Sequence, residues 1–343
     1  MKNKYYSLAK IDKYDCAYKL IIGKRSNGKT YAVLNKGLKI FLETGVKMAY
    51  VRRYRDDITA PNLMTLFDPQ PIAEMSGGLY TGVSYRSRQF CLLTEDGEKS
   101  EPFCETFALN TWERSKGADR GQYSIIVFDE FITRDQYLKD ETNIFLNILS
   151  SLLRDRAGTN IYMIANTVSQ FCPYFADFNI DIANLKQGEI QQTRDNVAIE
   201  YCADNGATTA DYFKGFKKSH TDMITAGKWE IRDYPHLQKS HKDYNFHLRF
   251  FVCLTDRVLA GELLSGDSAL FLYFYPFTGI IRNPEKTIIY SRIVSANPIH
   301  CCTFKSRPTA AHEIIAMLID QNKIYYSDNM TGEALTAFIK GGF

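Results

Sequence analysis

Residues 18 to 22, Tyr-Lys-Leu-Ile-Ile, form a short apolar run that stops at a glycine-rich turn. Apolar residues then recur at Ala32, Leu34, Leu38, Phe41 and Leu42 before Gly45. The run predicts a buried strand, the spaced stripe a helix, and the glycine its end. Further apolar runs at 46–54, 124–131 and 160–166 predict three more strands, with an amphipathic helix in "NIFLNILSSLLRDR". Two β-rich runs around "EDGEK" predict a hairpin. Continuous apolar strands alternating with helices specify an α/β fold with a mostly parallel sheet covered on both faces.

After about residue 200 the pattern changes. Residues 201–228 are poor in branched apolar side chains and read as a linker. From Trp229 the texture is β-rich: "NFHLRFFVCLT", "RVLAGELL", "ALFLYFYPFTG" and "KTIIYSRIV" are expected strands, followed by a helix in "TAAHEIIAMLIDQNK". The expected division is 1–200, a linker at 201–228, and 229–343. A length of 343 residues suits two domains of ordinary size.

Composition narrows the classes. The hydrophobic fraction of 45% and charged fraction of 24% are those of a soluble globular protein, and no run of eighteen apolar residues predicts a membrane span. The N-terminus carries charges throughout and lacks the apolar core of a secretory leader. The eight cysteines include no C-x-x-C pair, and most sit in apolar surroundings, as reduced core residues of a cytoplasmic protein would. A net charge of +3 does not by itself identify a nucleic-acid partner.

The turn after the first strand supplies the chemistry. Gly23, Lys24, Arg25, Ser26, Asn27, Gly28, Lys29 and Thr30 make a complete G-x-x-x-x-G-K-[ST] match. Glycines let successive N–H groups point at phosphate oxygens, and the helix that follows presents its positive end to the same anion. Lys29 would reach the β- and γ-phosphates of ATP, and the Thr30 hydroxyl would take a place on Mg²⁺. In "IIVFDEF" the strand carries Asp129 to its end, where a carboxylate would hold the metal, and Glu130 follows to orient and deprotonate a water.

Other candidates have two readings each. Asn166 ends its strand either to sense the γ-phosphate or fix the attacking water, or simply to cap the strand. Arg154 and Arg156 are helix-end charges favoured by the dipole, or an arginine finger reaching a neighbouring subunit's nucleotide. Arg52, Arg53 and Arg55 in "YVRRYR" form a solvated charge run or couple the ATP site to a polyanion. Lys116 and Arg120 form another basic loop. From Lys214 to Arg257 nine Lys/Arg stand against five Asp/Glu, with His220, His236, His241 and His247. That stretch is either loop charge or a surface for nucleic-acid backbone.

With "GKRSNGKTYA", "YVRRYR", "IIVFDEF", "LLRDR" and "IANTVSQFCPYF" in this order, the chain resembles the DNA-packaging ATPases of phi29-type phages, themselves similar to the ATPase part of large terminases. The resemblance is good over about residues 15 to 180 and fades in the last third. It implies a P-loop NTPase domain of the ASCE, RecA-like kind with ATP and Mg²⁺ as cofactors. Lys29 and Thr30 would serve nucleotide and metal, Asp129 the metal, and Glu130 would be the catalytic carboxylate. Arg154 would be a finger acting in trans, with Lys116 a second basic residue across the interface.

The resemblance further implies a homomeric ring, commonly a pentamer, at the portal (connector) vertex of a procapsid in the host cytoplasm and absent from the mature virion. That ring would drive double-stranded DNA inward, and a structural RNA can belong to it. The C-terminal domain would be RNase H-like. Its acids Asp256, Glu262 and Asp267 form no obvious metal-binding set, so it reads as a vestigial nuclease that does not cut. Two rival readings are a full terminase with metal-dependent DNA cleavage, and a structural nucleic-acid-binding portal protein that uses nucleotide as a switch.

Overall fold

A computed structural model gives the fold and describes residues 5–115, 121–154, 156–193, 196–204, 212, 215–216, 218–229, 232–255, 257–266 and 269–341. The chain divides into two compact units. The first comprises residues 1–134, 138–170 and 178–230; the second comprises 135–137, 171–177 and 231–343.

The first unit runs β1 (Tyr18–Gly23), α1 (Lys29–Thr44), β2 (Lys47–Arg52), α2 (Ala60–Leu63), α3 (Pro69–Met75), β3 (Gly82–Arg86), β4 (Gln89–Leu93) and β5 (Lys99–Ala108). It continues through β6 (Tyr123–Asp129), α4 (Glu141–Leu153) and β7 (Asn160–Asn166). The short α5 (Pro173–Asp177) falls in the second unit, and β8 (Ile190–Gln192), β9 (Val197–Tyr201) and α6 (Lys218–Thr225) return to the first.

Among the described residues these strands form a nine-stranded sheet ordered β3-β4-β5-β2-β6-β7-β1-β9-β8. The six strands from β5 to β9 are mutually parallel, and antiparallel pairs lie only toward the edges. The "EDGEK" hairpin joins β4 to β5 as its turn residues predict. Sequence pattern did not single out β9, although it pairs directly with β1.

Alternation along the parallel strands assigns their side chains to two cores. Met48, Tyr50, Ile125, Val127, Tyr162 and Ile164 pack with Val33, Leu34 and Leu38 of α1. On the opposite face, the Phe128 and Phe145 rings meet at 4.9 Å, bringing α4 onto β6. Each fully buried Ile, Val or Phe contributes roughly 1.5–3 kcal/mol, which holds the strand ends in fixed register. Val51 pairs with Phe128, Asp129 with Ile164, and Gly23 with Asn166. The C-terminal ends of β1, β2, β6 and β7 therefore come together.

In the second unit, β10 (Asn245–Cys253), β11 (Val258–Ser265) and β12 (Leu270–Phe277) form an antiparallel meander. Parallel strands β13 (Ile289–Ser291) and β14 (His300–Cys301) extend it beyond β10, and β15 (Ile324–Tyr326) joins β12. Helices α7 (Ala310–Asp320) and α8 (Asn329–Lys340) supply Ile315, Leu318, Leu335 and Phe338 to a core with Phe250, Val252, Leu272 and Phe274. The expected strand in "KTIIYSRIV" is cut to three residues, and beyond Ser291 the apolar Ile293 and Val294 are exposed. No helix among the described residues is long and apolar enough to cross a membrane.

Candidate active site

The loop after β1 is shaped by close packing as much as by curvature. A Cβ on Gly23 would lie 2.8 Å from the Cβ of Cys202, just beyond β9, so only glycine fits. Burial pushes the Cys202 thiol up to about 12, which keeps it protonated and inert. Gly28 is left-handed (φ +89°), directly precedes α1 and has no side chain to cap it, while the Lys29 N–H donates to Asn27 Oδ1 at 3.3 Å. That helix start borders the cleft and suits an anion. From the other side, Tyr6 N–H donates to the Asn27 carbonyl at 2.8 Å, and the Tyr6 hydroxyl donates to Glu200 at 2.7 Å.

Lys29 is buried, and its Nζ donates to the Lys24 carbonyl at 2.7 Å, Asn27 Oδ1 at 3.1 Å, and the Gly23 carbonyl and Asn166 Oδ1 at 3.3 Å. Burial brings its pKa down to about 8, with nearby Lys24 acting in the same direction and Asp129 opposing. Lys24 is itself 3.4 Å from Asp204. A cleft of about 330 Å³ is lined by residues 25–31, by Asp129 and Glu130, and by Ile164, Ala165 and Asn166. Gly23 and Lys24 lie behind it and hold Lys29 by their carbonyls.

At the end of β6 the two carboxylates are separated in role by geometry. Asp129 Oδ1 accepts from the Thr30 hydroxyl at 3.4 Å and from the Glu130 N–H at 3.1 Å, while Oδ2 accepts from the Tyr50 hydroxyl at 2.8 Å. One hydroxyl and one carboxylate, facing a cleft sized for phosphates, form an oxygen donor set that fits Mg²⁺, a cation that keeps several waters and takes few protein ligands. Tyr50 is fully buried, and burial with Asp129 beside it raises its pKa well above the usual phenol value, so it stays a donor. Nothing in the motif itself points to Tyr50. The available signal was a tyrosine inside an apolar strand, whose hydroxyl needs a partner.

Glu130 adopts a left-handed backbone (φ +59°) uncommon for a residue with a side chain. Its carboxylate accepts from Arg52 Nη2 at 2.6 Å, and its carbonyl from Arg53 Nη1 at 3.0 Å. Arg53 is buried, makes a two-pronged pair with buried Glu141 at 2.8 and 2.9 Å, and also binds the Phe131 carbonyl. The expectation of a solvated run is therefore corrected for Arg52 and Arg53, whereas Arg55 is exposed. Strand alternation sends Arg52 to the α1 side and Arg53 to the α4 side, where each engages the Asp-Glu turn.

The remaining candidates scatter. Asn166 joins the cleft. Arg154 is an exposed, left-handed residue (φ +40°) capping the C-terminus of α4, and it does not line the cleft. Lys116, Arg120, Asp256 and Asp267 lie outside the described residues. Glu262 is buried on β11 and bound by Arg249 at 2.7 Å and by the Tyr275 hydroxyl at 2.9 Å. Much of the histidine-rich stretch is internally engaged. His236 contacts the Tyr326 carbonyl at 2.9 Å, His241 stacks on Tyr273 at 5.1 Å, and His247 contacts Ser265 at 2.8 Å. Among the described residues no cluster of three or more His, Cys, Asp or Glu could hold a metal.

The sequence profile of the podovirus DNA encapsidation protein (Gp16) family matches residues 1–206. The DNA packaging protein of Bacillus phage B103 is 30% identical over 170 residues, 49% of either chain. That of Bacillus phage phi29 is 27% identical over 182 residues, 52% of this chain and 51% of its own. The chain thus spans about half the length of the curated relatives it matches. In fold, it is similar to a chain of the Phi-28 gp11 DNA packaging motor (TM-score 0.61, 16% identity, covering 99% of this chain and 98% of that one). It is likewise similar to a chain of the bacteriophage phi29 genome packaging motor assembly (TM-score 0.61, 19% identity, covering 98% and 99%).

Proposed function

We propose that this chain, which belongs to the podovirus DNA encapsidation protein (Gp16) family, is an ATP-hydrolysing motor subunit that moves double-stranded DNA into a preformed procapsid. One observation carries the reading. Lys29 and Thr30 at the start of α1, and Asp129 and Glu130 at the end of β6, line one cleft at the C-terminal edge of a parallel sheet. This is where open α/β sheets bind ligands.

Backbone N–H groups of residues 25–30 and the start of α1 bind the phosphates, and Lys29 exchanges its carbonyl partners for phosphate oxygens. Thr30 and Asp129 would hold Mg²⁺, which would neutralise charge on the phosphates. Glu130 orients a water and takes its proton. Asn166, already bonded to Lys29, is placed to contact the γ-phosphate or that water. Phosphoryl transfer needs positioning and charge rather than a covalent intermediate, and the cleft supplies both.

The exposure of Arg154 outside its own cleft supports a role on a neighbour's nucleotide within a homomeric ring, and Lys116 belongs with it in this reading. The division at 1–200, 201–228 and 229–343 then separates an ATPase domain, a linker and a nucleic-acid-binding domain. The bonds of Arg249 and Tyr275 to Glu262 support a second domain that does not cut DNA. Double-stranded DNA, the procapsid portal, a structural RNA and further copies of this chain, five in a ring, are the partners. The site of action is the portal vertex in the host cytoplasm.

The test is nuclease protection. The purified chain with ATP and empty procapsids should render DNA resistant to added nuclease, and the Glu130→Gln variant should not, although it still binds nucleotide. Equal protection without ATP would overturn a motor, and metal-dependent nicking of plasmid would restore a terminase.

A further inference from the structure

Asp129 has two oxygens and they do different things. Oδ1 faces the Thr30 hydroxyl at 3.4 Å and Oδ2 is taken by Tyr50 at 2.8 Å. A carboxylate at a strand end otherwise turns freely, because its last torsion is broad. The Glu130 N–H on Oδ1 at 3.1 Å limits that freedom, and Tyr50 on Oδ2 removes what is left. Its ring is fully buried in the α1-facing core of β2, so the hydroxyl has one accessible position, fixed by the strand rather than by a loop. The same hydroxyl accepts from Arg52 Nη1 at 3.4 Å, and Arg52 donates to Glu130 at 2.6 Å. A continuous polar chain thus runs from Glu130 through Arg52 and Tyr50 to Asp129.

We propose that Tyr50 is a positioning residue for the divalent cation: its hydroxyl fixes Asp129 so that one oxygen is presented beside Thr30 for the metal. The proposal rests on the reading of the cleft as a Mg-nucleotide site. Carboxylates that hold metals are themselves hydrogen-bonded, and loss of such a partner typically weakens metal affinity about 10–100-fold. Phenylalanine at position 50 would keep the packing of the ring and delete only the bond.

The experiment uses the full chain and a fluorescent ADP analogue, so that binding rather than turnover is read. Affinity is measured in EDTA and across a Mg²⁺ titration. Tyr50→Phe should bind the analogue in EDTA as the parent does, within about twofold, and need about 10–100-fold more Mg²⁺ for half-maximal enhancement. An unchanged Mg²⁺ requirement would overturn the proposal. So would an affinity that falls equally with and without the cation, which would mean that Tyr50 only packs. Asp129→Asn provides the second arm: adding Tyr50→Phe to it should shift the Mg²⁺ requirement no further, and an additive shift would place Tyr50's effect elsewhere. The parent separates this proposal from the reading beneath it. A parent whose nucleotide affinity ignores Mg²⁺ would sink the Mg-nucleotide site itself, whereas a responsive parent with an equally responsive Tyr50→Phe sinks only the role of Tyr50.

Discussion

Arg52 Nη2 lies 2.6 Å from Glu130 Oε2, so the carboxylate proposed to activate water is held by a guanidinium one strand away. The Glu130 side chain is 53% exposed and that of Arg52 18%, which makes this a half-solvated pair that can open. Such pairs are worth about 0.2–1 kcal/mol.

Arg52→Gln should therefore release Glu130 and change turnover without DNA by only about two- to fivefold, upward. DNA should then stimulate the variant less than the parent. Steady-state ATPase assays with and without DNA check this, and a large fall in basal rate would mean that Arg52 itself acts on the phosphates.

Arg53 predicts the opposite kind of effect. Its pair with Glu141 is buried on both sides, with side chains only 5% and 1% exposed. Breaking such a pair leaves an uncompensated charge, and Arg53→Met should lower stability by about 3–5 kcal/mol. Arg53→Met combined with Glu141→Leu should recover much of that loss, because no charge is then stranded. Denaturant unfolding of the three proteins gives the comparison.

Lys29 ties nucleotide binding to pH. Its folded pKa of about 8 is below the ordinary 10.5, so between those values the folded protein carries fewer protons than the unfolded chain. The residue's penalty on folding is therefore full below about pH 8 and fades as pH rises toward 10.5. Phosphates favour the cation and raise its pKa again. ADP binding should take up close to one proton at about pH 9 and almost none at about pH 7. Calorimetry in buffers of different ionisation enthalpy reads this directly. Lys29→Arg should show no uptake at either pH.

Arg154→Ala tests the ring. ATP binding should stay normal, since the residue does not line its own cleft, while hydrolysis should fall by about 10³–10⁵ if the finger acts in trans. Mixing this variant with Glu130→Gln on procapsids should restore some turnover, because some interfaces then pair an intact Glu130 with an intact neighbouring Arg154. No recovery in rings verified as mixed would leave Arg154 as a helix-end charge.

Sequence by itself determined the local elements of the site: the loop from Gly23 to Thr30, the strand ending at Asp129, and Asn166 at the end of its own strand. Each is written in contiguous residues, through apolar runs for strands and glycines for the turn. Pattern also placed the three long strands of the second unit. It did not reveal α8, where Gly332 and two threonines dilute the helical signal. Only the packed structure shows why glycine stands there: a Cβ would collide with the ring of Tyr234. The tertiary structure alone decided what "YVRRYR" does. Alternation says that neighbours on a strand face opposite ways, but not what they meet. Once β2 lies beside β6, Tyr50 reaches Asp129, Arg52 takes the Glu130 carboxylate, and Arg53 reaches its carbonyl. Those partners are separated by 77 to 79 residues in the chain. Contacts at that distance depend on strand order and register, which the buried apolar faces fix only when the whole sheet assembles.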